Sequence, residues 1–174
     1  MLVDADIPAA IARDAEVDTA VSDHTALPSA HHTKTIDASE LSAGELPTAR
    51  LAANIKTASL TFIIDGGGSA ITTGEKGHLE IPFACTIQQV TMLADQVGSI
   101  VVDIWKDTYV NYPPTDADSI TALAPPTLSL AQKSQDSTLT GWTTSITAGD
   151  ILAFNVDSAA TITRVTLSLQ VTKT

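Results

Sequence analysis

Cysteine is almost absent from this sequence: Cys85 is the only one among 174 residues. A lone thiol excludes an internal disulfide and any zinc site built on several cysteines. It sits in the apolar run Ile81-Pro82-Phe83-Ala84-Cys85, which predicts a buried, inert side chain. Positive charge is also scarce. Nine Lys and Arg face twenty Asp and Glu, a formal net charge of −11, and the basic residues are scattered. A nucleic-acid binder needs a basic surface to displace counterions from phosphates, so DNA and RNA are excluded as expected partners. An anionic membrane surface is disfavoured on the same ground. No apolar run reaches the roughly 18 residues of a spanning helix. Met1-Leu2-Val3-Asp4-Ala5-Asp6 has neither a positive region nor an apolar core of a signal peptide. The expectation is a protein made and folded in a cytoplasm.

Charged residues total 17 %, against about 25 % in ordinary soluble domains. Thr, Ser and Ala fill the difference, a composition that suits β-rich particle proteins. Aromatic residues are few and unevenly placed: residues 1–57 contain none, and all seven follow residue 61. A core without aromatics is hard to build, so the sequence divides into an extended arm, 1–57, and a globular domain, 58–174. In the arm, Asp6 is a plausible N-cap with Pro8 close behind. Ile7, Ile11, Val17 and Val21 fall at helical spacing. Such a segment is too short to stand alone and needs a partner. Pro28 and the polar run Ser29 to Thr35 end it.

Residues 58–174 alternate with the period of strands: Leu60, Phe62, Ile64; Leu79, Ile81, Phe83; Val90, Met92, Ala94; Ile100, Val102, Ile104; Leu152, Phe154, Val156; Val165, Leu167, Leu169, Val171. Thr and Ser at intervening positions predict one wet face. A further strand is expected around Leu139 to Ile146. Turn chemistry separates the runs at Asp65-Gly66-Gly67-Gly68, Gly74-Glu75-Lys76-Gly77, Asp95 to Gly98, Ala148-Gly149-Asp150 and Asp157-Ser158. Prolines 113, 114, 125 and 126 mark an irregular stretch between Lys106 and Ser129. The predicted fold class is therefore mainly β: an antiparallel β-sandwich or jelly roll of seven or eight strands, preceded by an extended, partly helical arm.

Catalytic patterns are not evident. Asp65-Gly66-Gly67-Gly68-Ser69 lacks the Gly-Lys-Ser/Thr ending of a phosphate loop. There is no Gly-x-Ser-x-Gly elbow, His78 stands alone at the start of a strand beside Gly77, and Asp116 and Asp118 lie in a polar loop without evident partners. The reading is no enzyme, no cofactor and no metal. His31 and His32 are the weak exception. Neighbouring residues of an extended chain point to opposite sides and chelate poorly, but one histidine from each of three chains can meet on an axis. The aromatic residues carry more information. Trp105 falls on the face opposite Ile100, Val102 and Ile104. With Tyr109 and Tyr112 it is placed at or beyond a strand end, in a Pro-rich loop, where exposed rings suit stacking on a sugar or a protein contact.

Two stretches of the arm resemble tailed-bacteriophage appendage proteins. One is Val21-Ser22-Asp23-His24-Thr25-Ala26-Leu27-Pro28-Ser29-Ala30-His31-His32-Thr33-Lys34. The other is Ala38-Ser39-Glu40-Leu41-Ser42-Ala43-Gly44-Glu45-Leu46-Pro47-Thr48-Ala49-Arg50-Leu51. Asp103-Ile104-Trp105-Lys106 and Leu139-Thr140-Gly141-Trp142 resemble the small β domains that end such proteins. The resemblance implies a structural virion protein, a homotrimer whose arm contacts capsid, tail or baseplate proteins and whose β knob binds a host surface glycan. Leu41, Leu46 and Leu51 recur every five residues and would line the three-chain axis. The arm is far shorter than a long fibre shaft, which implies a short fibre or, alternatively, a capsid decoration protein that stabilises the head. A glycan-degrading spike is the least favoured reading, since such spikes are usually far longer.

Overall fold

A computed structural model of the chain describes residues 14–26 and 51–174. Two compact units are present, Met1–Glu45 and Leu46–Thr174. In the first, helix α1 spans Asp14–Ala26. Val17 and Val21 lie on it with 46 % and 56 % of their surfaces exposed. Ile7, Ile11, Leu41, Leu46 and the pair His31 and His32 lie outside the described residues. Leu51 is half-buried at a bend.

The second unit is antiparallel β. After a single helical turn, α2 (Ala53–Lys56), come β1 (Thr57–Asp65), β2 (Gly74–Ile81), β3 (Cys85–Thr108), β4 (Thr127–Asp136), β5 (Ser145–Ile146), β6 (Asp150–Ala160) and β7 (Arg164–Lys173). The strands form one seven-stranded sheet in the order β1-β7-β3-β6-β2, with β4 and β5 on the other edge of β3. β6 and β7 share one register against β3, since Ser99↔Ala160 and Ala94↔Val165 continue the same pairing. β1 and β2 likewise follow β7 and β6. The sheet is thus a set of long ribbons: β1–β2 and β6–β7 are each interrupted once, while β3 runs through and bends.

There the sheet curls back on itself. The crease runs through Gly66–Thr73, Asp95–Gly98 and Thr161–Thr163, with Leu130 of β4 at φ +48°. Curling brings inward-facing residues of the two halves together. Phe62 of β1 stacks on Phe154 of β6 with centroids 4.2 Å apart. Ile64, Ile81, Met92, Ile100, Ile104, Leu152, Leu167 and Val171 are buried around them. Each such aliphatic side chain contributes about 1.5–3 kcal/mol over its exposed state. Gly77 makes room for the ring pair: a Cβ there would stand 3.2 Å from Phe62 Cζ. At the open side, Ile87 N donates to Thr144 O and Thr143 N to Ile120 O, which ties the halves together.

Carboxylates fasten the crease. Asp95 accepts from Thr163 N, Thr163 Oγ1 and Arg164 N, and Asp65 accepts from Arg164 Nε at 2.7 Å and Gly67 N at 2.7 Å. The Thr163 hydroxyl beside Asp95 and the Arg164 guanidinium beside Asp65 hold both carboxyls below their ordinary value of 3.8. A depressed folded-state pKa gives stability that is fully present above the unfolded value and lost as pH falls through the folded one. Melting temperature should therefore drop as pH falls from 4 toward 3 (about the range set by these carboxylates). The Asp95→Asn variant should start lower and lose less over that interval. Parallel pH profiles for the two proteins would show that Asp95 does not bear this load.

Several sequence expectations are corrected. Asp95 to Gly98 does not separate two strands; β3 continues through it for 24 residues and bends. Gly74 to Gly77 belongs to β2, as a register shift between Glu75 and His78, so His78 lies within the strand. Asp157-Ser158 is inside β6, and Phe83 lies beyond the end of β2, beneath Lys173 Nζ. The strand expected around Leu139 to Ile146 is reduced to Ser145–Ile146. β4 was not expected, because Leu-Ser-Leu-Ala-Gln-Lys-Ser-Gln loses apolar alternation after Leu130. Its pairing with β3 supplies what its own pattern lacks. Cys85 is buried as anticipated, at 1 % exposure, and burial pushes its thiol pKa up.

Candidate binding surface

The second half of β3 fixes the surface. Ile100, Val102 and Ile104 point inward and are fully buried, so strand alternation turns Val101, Asp103 and Trp105 outward. Register sets their neighbours: Trp105 lies beside Ala153 of β6, and Ala153 beside His78 of β2. On its other edge Trp105 bridges Ser119. A row His78–Ala153–Trp105–Ser119 therefore crosses this half of the sheet.

Asp103 organises the row. It is only 8 % exposed and its Oδ1 accepts from Ile104 N at 2.7 Å, Ser119 Oγ at 2.8 Å and Thr121 Oγ1. Its Oδ2 accepts from Trp105 Nε1 at 2.8 Å. A buried carboxylate is costly without partners; four donors offset that cost. The same bonds lock the Trp105 indole along its own strand and draw Ser119–Thr121 onto the edge of β3, where Ile120 N reaches Ile104 O at 2.9 Å. Trp105 is thus half-buried within β3, not in the loop beyond a strand end.

The chain then leaves β3 through a turn of 3-10 helix at Tyr109–Asn111. Asp107 accepts from Thr108 N and from Asn111 Nδ2 at 3.1 Å, and these donors, Thr108 N first, lower its pKa. Tyr109 is 78 % exposed, Val110 91 % and Tyr112 52 %. Tyr112 packs against His78 with ring centroids 4.9 Å apart, its hydroxyl 3.4 Å from Nδ1. The His78 Nε2 atom is enclosed 3.3 Å from Glu75 Oε1. Asp118, expected without partners, accepts from Thr115 N and Oγ1 in a capping box. Lys106 pairs with the buried Asp150 at 3.0 Å.

The structure therefore separates the three predicted aromatics. Tyr109 and Tyr112 form an exposed patch with Val110, while Trp105 is a pinned part of the sheet face. Two residues to which the sequence reading gave no role matter here. Asp103 carried a signal, being an acid two residues before Trp105 on the same face. His78 carried none, since only the register brings it to Tyr112. Trp142 is half-buried, donates from Nε1 to Ala124 O at 2.9 Å, and lines a cleft of about 220 Å³ with Val90, Pro125, Pro126 and Asp136.

Among the described residues, no three His, Cys, Asp or Glu side chains converge to hold a metal ion, and no helix is long and apolar enough to cross a membrane. In comparisons with known proteins, no family model matched the sequence and no curated protein was significantly similar to it.

Proposed function

We propose that this chain is a structural protein of a tailed-phage particle: a trimeric short fibre or appendage, made in the host cytoplasm. Residues 1–57 act as an extended arm that binds other virion proteins, with Leu41, Leu46 and Leu51 on the trimer axis. Residues 58–174 act as a jelly-roll-like knob that binds a host surface glycan. The observation that supports this reading best is the exposed Tyr109–Val110–Tyr112 patch on the turn that follows β3. Flat rings exposed there supply stacking area for a sugar. A Tyr109→Ala, Tyr112→Ala protein should bind host-cell surface polysaccharide about tenfold more weakly, with its melting temperature little changed. Unchanged binding in a titration would remove the patch from the reading.

One observation favours a capsid decoration protein instead. The link Pro82–Ala84 between β2 and β3 is three residues long, so the strand ends at Ile81, Thr108 and Thr57 lie at one end of the curled sheet. The patch therefore begins at the end of the β unit where its first strand starts. Antibody labelling of purified particles separates the two. Label over the whole head means decoration, and label on a few projections or the tail means an appendage.

A further inference from the structure

A sheet exposes unpaired N–H and C=O groups along its edge strands, and folded proteins guard such edges with bulges, bends, prolines or charges. Two of the outer strands here are guarded. β2 shifts register between Glu75 and His78 and carries Glu75, Lys76 and Glu80. β4 carries Lys133, bends at Leu130, and loses register with β3 on both sides of Gly98.

β1 has none of these devices. Among the described residues it ends the sheet, and it pairs with β7 through nine consecutive residues, Thr57↔Thr172 to Asp65↔Arg164, without a shift. Its sequence, Thr-Ala-Ser-Leu-Thr-Phe-Ile-Ile-Asp, contains no proline or glycine. Its one charge, Asp65, is at the end and is taken by Arg164. Ile63 is left 57 % exposed on its outward face.

The chemistry around this edge points to the occupant. The outward rows behind its middle are uncharged, Ser59–Gln170–Gln89 and Thr61–Ser168–Thr91, running from β1 across β7 to β3, and charge enters only at the end, where Asp65 is paired with Arg164. The outward rows of the other half hold Glu75, Glu80, Asp103 and Asp107. In a chain of net charge −11, two copies meet with least repulsion at the β1 side. β1 is also the first strand after the residues read above as the assembling arm. Arms that associate would hold the β1 edges of neighbouring copies at high effective concentration.

We infer that the open edge of β1 is a contact between copies of this chain, made by strand-to-strand pairing. This rests on the reading of the protein as an oligomer and names the surface of the β unit that takes part.

The test uses the full chain with Thr61→Lys and Ile63→Lys together. Both side chains are exposed, so the fold, checked by circular dichroism, should persist. A control protein carries the same added charge as Ser129→Lys and Ser137→Lys, exposed positions away from β1. Mass is read by light scattering across a dilution series. The β1 variant should dissociate at a concentration at least tenfold higher than the parent, and the control should match the parent. Hydrogen exchange should show β1 amides protected in the parent in a concentration-dependent way. A parent trimer dissociated by the lysines supports both readings. A parent dimer dissociated by them supports the edge, as an isologous β1–β1 contact, and overturns threefold assembly. An oligomer indifferent to the lysines overturns the edge alone. A monomeric parent overturns both.

Discussion

A Gly98→Ala protein should melt about 10 °C or more below the parent, because the fold leaves no room for a methyl group at this position. Gly98 lies at the crease of β3, where the neighbouring ribbon presses against it. A Cβ built there would stand 2.6 Å from Ile162 Cγ1 and 2.7 Å from Ala160 O, and would also meet Thr161 Oγ1. Ile162 is fully buried in the core, whereas the exposed Thr161 side chain can rotate away. The carbonyl cannot, because Ala160 is paired with Ser99 and its oxygen accepts from Ile162 N at 2.9 Å. Relief requires the two ribbons to part, at a cost of about 3 kcal/mol. Valine at the same position should be worse than alanine. Thermal melts followed by circular dichroism test this directly, and an alanine variant within about 2 °C of the parent would show that the crease opens easily.

Removing the Asp103 carboxylate should come next in size. Asp103→Ala leaves the Trp105 indole N–H, the Ser119 and Thr121 hydroxyls and Ile104 N without their acceptor. Orphaned buried donors cost about 1–3 kcal/mol each when no water replaces the partner. Partial rescue by water sets the expected loss at about 3 kcal/mol. Asp103→Asn is the sharper probe. Its amide keeps one acceptor oxygen but turns an N–H₂ toward one of the donors. The bond to Trp105 is the one expected to break, since the other oxygen serves three donors. Trp105 and Trp142 are the chain's only tryptophans, so an emission shift in the Trp105→Phe background separates their signals. If Asp103→Asn alters the emission in the parent but not in that background, Trp105 is the ring released. No change in either would mean that the indole is held by packing alone.

Much of the β unit was legible because its inward residues alternate cleanly. β7 could be read from Val165 to Val171, where every second residue is buried, and β6 from Leu152, Phe154 and Val156, although Ile151 and Ala153 between them are buried as well. What periodicity cannot convey is continuity. A tight bend and a chain reversal use the same residues, so Asp95-Gln96-Val97-Gly98 reads as a turn although β3 continues through it with a bend. β4 was invisible for a different reason: its outer half faces water with Gln132, Lys133 and Gln135, and its stability comes from the neighbouring strand. The surface was half legible. Tyr109 and Tyr112 stood out as rings in a Pro-rich loop, while Asp103 passed for an ordinary polar position. Burial and four donors, not residue type, distinguish it from Asp116 and from Asp118, which is less buried and accepts from Thr115 alone.

The first strand of the sheet is clasped by the last. Asp65 and Arg164 pair although 99 residues separate them, and β7 is inserted between β1 and β3. On the ribosome, β1 emerges without its partner and waits about 5–20 s, at ordinary elongation rates, until β7 is made. Its Phe62 and Ile64 stay uncovered for that time, as does the matching side of β3. Nascent chains crowded on one message are then candidates to borrow each other's strands before each can close on itself. A fold whose first and last strands are neighbours is thus exposed to the pace of its own synthesis, and slow codons placed between β1 and β7 should raise the share of misassembled chains.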